Sequence, residues 1–184
     1  MDTYQALWLA FAIVWTLAAF ATKRTVRRQT STSRIVQSSL VVFGFLLLLR
    51  PWILPALDIR VIPDSPPINF CGIVLTAAGI ALAIWARLVI GTNWSGSVTV
   101  KRNHQLIRTG PYRFVRHPIY SGILLAMLGT AVGYGMLPGL IGFALTFIAL
   151  LAKWQIEEKF MIEEFGDQYH QYRREVKAVI PGLL

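Results

Sequence analysis

Arg108-Thr109-Gly110-Pro111-Tyr112-Arg113-Phe114-Val115-Arg116-His117-Pro118-Ile119-Tyr120-Ser121-Gly122 sets arginines, a histidine and a proline directly against the start of a long apolar run. Proline has no N–H and a fixed φ, so Pro118 predicts the first turn of a helix, with His117 at its mouth. The run that follows extends from Ile119 to Trp154 and is broken only near Gly133-Tyr134-Gly135-Met136-Leu137-Pro138-Gly139. Glycine and proline in that cluster predict a tight hairpin between two helices. Each arm is just long enough to cross or nearly cross a hydrocarbon core of about 30 Å at about 1.5 Å per residue.

Three further apolar stretches precede it, from Tyr4 to about Thr22, from about Ile35 to Leu57, and from Ile68 to Ile90. The first has Asp2 and no Lys or Arg before it, unlike a secretory signal, and reads as a retained span. With 55% hydrophobic residues and a mean hydropathy of +0.54, the chain is too apolar for an ordinary soluble domain. The expected fold is therefore all-α: an integral membrane bundle of about five transmembrane helices in one domain, residues 1–184. Residues 1–90 supply three helices, and residues 91–184 the helical hairpin and a C-terminal amphipathic helix.

Basic residues follow the odd spans. Lys23, Arg24, Arg27, Arg28 and Arg34 come after the first, Lys101, Arg102, Arg108, Arg113 and Arg116 after the third, and Lys153, Lys159, Arg173, Arg174 and Lys177 after the fifth. An odd count gathers all of them on one side, which the positive-inside rule makes cytoplasmic, with the N-terminus outside. The net charge of +9 is thus explained by topology, and nucleic acid is not an expected partner. Within the spans, Arg87 near the end of the third either snorkels to the interface or faces a polar cavity and pairs with a substrate acid. Small residues at Gly72, Thr76, Gly79 and Ala83, and at Gly122, Ala126, Gly129 and Gly133, predict the closest helix contacts.

Beyond the fifth span, Trp154, Met161, Ile162, Phe165, Tyr169, Tyr172 and Val176 recur at helical spacing, with Gly166 interrupting them and Pro181 ending any helix. Glu157 and Glu158 fall in the first turns of this amphipathic segment, on the same side as Arg113 and Arg116. Adjacent helical residues point about 100° apart, so one of these carboxylates can face the bundle and the other solvent. His117 beside Arg116 at a positive helix end is expected to have a lowered pKa and a neutral ring. His104, His117 and His170 lack metal-ligand spacing, and the single Cys71 lies in a span, so no metal site is expected. Gly133-Tyr134-Gly135 has Pro138 where a dinucleotide fingerprint needs glycine, and Ser95 and Ser121 lack a nucleophile-elbow context.

The run Gly110 to Gly122, followed by Glu157-Glu158 and by Phe165-Gly166-Asp167-Gln168-Tyr169-His170-Gln171-Tyr172, resembles the isoprenylcysteine carboxyl methyltransferase family, within the wider group that includes phospholipid methyltransferases. The resemblance covers roughly the C-terminal half, from about Asn93 to Pro181. It implies a small multi-span enzyme that uses S-adenosylmethionine without a Rossmann domain, its cofactor pocket cytosolic and its lipid substrate entering between helices. Carried onto this chain, the cofactor would meet Gln105, Leu106, Gly110, Tyr112, His117, Pro118 and Tyr120, with Glu157 or Glu158 on its ammonium.

Under that resemblance Arg116 orients an acidic substrate group, Trp94 lines the opening, and Arg87 is the further candidate for the substrate. Catalysis is expected to depend on Arg116, His117, Tyr120 and Glu157 or Glu158. The acceptor expected is lipophilic, most plausibly the carboxylate of an isoprenylcysteine-like or other isoprenoid lipid. The alternatives are a phospholipid amine acceptor, an NADPH-dependent sterol-type membrane reductase, and a non-enzymatic lipid-binding scaffold or small transporter.

Overall fold

The computed structural model describes residues 1–19, 25–28, 30–50, 53–94, 99–101 and 106–183. Its elements are α1 (Thr3–Ala19), β1 (Thr25–Arg28), α2 (Ser31–Leu49), α3 (Pro66–Ile90), β2 (Thr99–Lys101), α4 (Pro118–Tyr134), α5 (Leu137–Phe165) and α6 (Asp167–Glu175), with single 3₁₀ turns at Pro55–Leu57, Gly91–Asn93 and Gly110–Arg113. Helices α2, α3 and α5 are long and apolar enough to cross a membrane. α1 and α4 have 17 residues each, about 25 Å at about 1.5 Å per residue. Leu9, Ile13, Leu17, Val42, Phe70, Val74, Leu88 and Ile148 lie exposed on the outer faces of these helices, an arrangement suited to lipid contact.

The two rows of small residues pack onto each other and set the axis of the bundle. A Cβ on Gly129 would meet the Thr76 amide nitrogen at 2.6 Å and the Gly72 carbonyl at 2.7 Å, and one on Gly122 would meet the Ala83 nitrogen at 2.6 Å. α3 and α4 therefore run antiparallel with their backbones nearly touching, the close approach that small residues permit in a membrane. α1 lies along this pair and is tied to it by a buried polar chain. Trp8 Nε1 donates to Thr130 Oγ1 at 3.0 Å, and Thr130 and Thr76 share a hydrogen bond of 3.1 Å between their hydroxyls. α2 packs against α5, where Gly44 meets Gly142.

The hairpin between α4 and α5 is as tight as its glycines require. Gly135 has φ +68°, and a Cβ there would stand 2.5 Å from the Ile62 carbonyl oxygen. Its own carbonyl accepts the amides of Val61 (2.8 Å) and Ile62 (3.1 Å), which pins the loop after α2 to this end of the bundle. At the opposite end β1 and β2 pair antiparallel, joining the segments after α1 and α3. Loops that follow odd helices thus share one end.

The fold is all-α in class, and its details differ from expectation in three places. A short β1–β2 ribbon, which no alternating apolar pattern announces, clips two loops together. The second apolar stretch leaves helical geometry at Leu49, ahead of Pro51, which disfavours helix in the residue before it. The amphipathic segment is not one separate helix. α5 runs unbroken through Trp154, Glu157 and Glu158 to Phe165, and Gly166 (φ +52°) turns the chain into α6.

Candidate active site

α4 begins at Pro118, and α5 carries its acids just past the end of its apolar stretch, so the two helices bring His117 between Glu157 and Glu158. His117 Nδ1 lies 3.5 Å from Glu157 Oε2, and Nε2 lies 3.4 Å from Glu158 Oε1. Tyr120, one turn into α4, donates its hydroxyl to Glu157 Oε1 at 2.7 Å. The imidazole stacks on Tyr120 (5.4 Å between centroids, 6° between planes) and on Trp154 (6.4 Å, 21°). Trp154 precedes Glu158 by one helical turn and so shares its face.

The two glutamates have different surroundings. Glu158 is buried, and its oxygens are taken by Arg116 (Nε at 2.8 Å, a terminal nitrogen at 2.6 Å) and by Arg173 Nε at 3.1 Å. Glu157 is more open, its side chain 21% exposed against 9% for Glu158; it faces His117, accepts from Tyr120 and feels the charge of Lys153 one helical turn earlier on α5. Arg116 also donates to the Val176 carbonyl and, at 3.3 Å, to that of Arg173. The fork of Arg116 is therefore occupied by Glu158 and the C-terminal tail.

That tail completes the site through its backbone. The amides of Arg116 and His117 donate to the carbonyls of Lys177 and Ala178, each at 2.8 Å, and Ser121 Oγ donates to the Val179 carbonyl at 2.5 Å. Tyr172, on α6, donates to the Tyr112 carbonyl. Arg108 pairs with Glu175 and lies over the Tyr172 ring. Tyr112, Ile119, Tyr120, Leu124, Trp154, Ala178 and Val179 form one buried cluster beneath the polar groups, with Trp94 packed at its edge.

The pKa of His117 moves opposite to the expected lowering. Burial pushes its pKa down, but hydrogen bonds to Glu157 and Glu158, reinforced by their charges, outweigh burial and hold it above its usual value. Two carboxylates at one imidazole are a tertiary fact that the order of residues around His117 does not reveal. A raised folded-state pKa contributes stability fully present below the ordinary value of about 6.5 and lost as pH rises through the folded value. Thermal unfolding is accordingly expected to show wild type losing its advantage over His117→Gln as the pH is raised above neutrality. Parallel melting curves against pH for the two proteins would remove the coupling.

Gly110 takes φ +58° beneath Val89 and Trp85, at the start of the turn that presents Tyr112. Leu106 is half-buried nearby in sequence, while Gln105 lies outside the described residues. Arg87 does not snorkel. It is 4% exposed, donates to the carbonyls of Gly91 (2.8 Å) and Ala18, and lies 4.5 Å over Trp94, so it joins the C-terminal ends of α3 and α1. Those ends carry partial negative charge, which offsets the guanidinium. Arg173 and Trp154 were not singled out by sequence reasoning as site residues. For Trp154 the signal was available in its spacing to Glu158; for Arg173, in a run of mixed charge, there was none.

The profile of the phospholipid methyltransferase family matches residues 68–168, more than half of the chain. The chain is 35% identical to a protein-S-isoprenylcysteine O-methyltransferase of Schizosaccharomyces pombe over 52% of its own length and 42% of the relative's. It is 41% identical to a methanethiol S-methyltransferase of Pseudomonas deceptionensis over 39% and 27%. A probable protein-S-isoprenylcysteine O-methyltransferase of Oryza sativa subsp. indica matches at 27% identity over 90% of this chain and 86% of that one. The chain thus spans less than half the length of the first two. A solved structure of the eukaryotic intramembrane Ras methyltransferase ICMT overlays with a TM-score of 0.49 and 26% identity, covering 86% of this chain and 55% of that one. The matched span holds α3, the polar mouth of α4 and both glutamates of α5, and the chain belongs to the phospholipid methyltransferase family.

Proposed function

We propose that this protein is an integral membrane methyltransferase that moves a methyl group from S-adenosylmethionine to a lipophilic acceptor, the carboxylate of an isoprenylcysteine-like lipid being the best fit. The observation that carries the reading is Glu157. It is a partly open carboxylate just past the apolar stretch of α5, oriented by Tyr120 and His117 and backed by aromatic rings. The donor set fits the cofactor, whose ammonium needs a carboxylate and whose sulfonium favours nearby anions and aromatic faces. Glu157 takes the ammonium; Glu158, tied to Arg116 and Arg173, holds the mouth of α4 to the C-terminal tail. In this reading Leu106, Gly110, Tyr112, Pro118 and Tyr120 are assigned to the cofactor, as is Gln105 from the sequence alone, and Trp94 and Arg87 to the acceptor.

When bound, S-adenosylmethionine supplies an electrophilic methyl for in-line displacement, and the protein's task is proximity and alignment. An ionised carboxylate acceptor needs no base. An amine or a thiol must first lose a proton, and His117, held between the two glutamates, is the group placed to take it. The carboxylate reading asks less of the site. Arg116 serves as a positioning residue through Glu158.

The chain crosses the membrane five times in this reading, N-terminus outside and active site cytoplasmic. Its support is the gathering of the basic loops at the β1–β2 end. Calorimetry on the purified protein is expected to show S-adenosylhomocysteine binding and no NADPH binding; the reverse result would point to a reductase. Radiolabelled methyl transfer onto carboxylate, amine and thiol lipids then identifies the acceptor.

A further inference from the structure

Behind Glu158, on the face away from Glu157, the protein holds an open cleft of about 570 Å³. Arg173, Arg174 and Lys177 wall it, with the Arg116–Glu158 pair at its base and Trp154 and Leu183 among its lining. Four cations meet one carboxylate there. Arg116 and Arg173 already bind Glu158, whereas Arg174 and Lys177 form no ion pair among the described residues. The cleft therefore carries uncompensated positive charge.

Trp154, Ala178 and Leu183, the last 75% exposed, supply its apolar lining. Outside the lining, the bridge between Val115 and Lys177 sets the loop before α4 beside the tail, and these segments carry the exposed side chains of Phe114 and Ile180. Arg113 lies 5.2 Å over the Phe114 ring. Trp154 closes the apolar stretch of α5, so the cleft opens at the level where that helix leaves the hydrocarbon. Cations surrounded by apolar side chains at that depth match a headgroup and the first methylenes of its chains, not a soluble anion.

We infer that this cleft is a binding site for an anionic phospholipid of the adjoining leaflet, its phosphate between Arg174 and Lys177 and its glycerol end against Leu183. The site lies beside the α6 and tail segments that hold Arg116, so an occupying lipid would brace them. The inference goes beyond methyl transfer and needs only that the bundle sits in a membrane; its test reads no turnover.

Native mass spectrometry of the full chain released from detergent micelles containing phosphatidylglycerol or phosphatidylcholine provides that test. Wild type is expected to retain phosphatidylglycerol in preference to phosphatidylcholine. The double variant Arg174→Gln/Lys177→Gln is expected to lose about 25-fold in phosphatidylglycerol affinity, about fivefold per cation. Phosphatidylcholine retention should stay unchanged, and Arg60→Gln at the opposite end of the bundle should behave as wild type. Equal retention of the two lipids would overturn the site, as would an Arg60→Gln loss matching that of the double variant. Displacement of the lipid by millimolar inorganic phosphate would make it a soluble-anion site instead.

Discussion

Replacing Glu157 by Gln is expected to weaken S-adenosylhomocysteine binding by about 50- to 500-fold, the cost of removing one member of a charge pair at a partly desolvated site. The melting temperature should move less than in the Glu158 variant, because Glu157 is the more open of the two acids and meets no buried arginine, only His117, Tyr120 and the charge of Lys153. Glu158→Gln is the paired control. Glu158 is buried against Arg116 and His117 and also meets the more exposed Arg173, so its loss leaves the buried Arg116 guanidinium unpaired, and the larger effect should be on stability. Calorimetry and thermal scans on both variants check the assignment. If Glu158→Gln loses the ligand while remaining folded and Glu157→Gln retains it, the roles are exchanged.

Arg116→Ala is expected to reduce kcat by about 100-fold, the scale of an ångström-sized misplacement of reacting groups, while the dissociation constant for S-adenosylhomocysteine stays within a few-fold of wild type. The physical reason is indirect. Arg116 joins Glu158 to the carbonyls of Arg173 and Val176, so removing it frees the tail from α5. A split follows from this position: kcat falls, acceptor KM changes little, and Arg116→Lys recovers only part of the rate, since a single ammonium cannot reproduce the fork. A rise in acceptor KM as large as the fall in kcat would instead make Arg116 a direct ligand of the acceptor's acid.

Much of this was legible in the chain. Apolar stretches bounded by Gly, Pro and charge place α1, α3, α4 and α5, because a helix that buries its backbone polar groups in lipid must be apolar along its length. The small-residue rows announced the α3–α4 contact for a similar reason: without side-chain bulk there is room for backbones to meet. The motif at the mouth of α4 and the paired glutamates were visible as a resemblance. The contact of Gly44 with Gly142 and Thr146 was not singled out, although Gly139, Gly142, Thr146 and Ala149 form a row on α5, because α2 answers that row with a lone glycine.

Which glutamate stays open, and which way the pKa of the histidine moves, could not be read from residue order. Glu157 and Glu158 are neighbours of identical chemistry, and their difference comes from the phase of α5 against α4 and from Arg173 arriving off another helix. His117 was expected neutral from its local setting at a helix start beside a cation. Two carboxylates from a segment about 40 residues away outweigh that setting. Hydrophobic pattern and helix punctuation are local properties, so composition and spacing carry them. Electrostatic roles depend on distances of 3 to 4 Å between groups remote in the chain, and only the packing of α4, α5 and the tail establishes those distances.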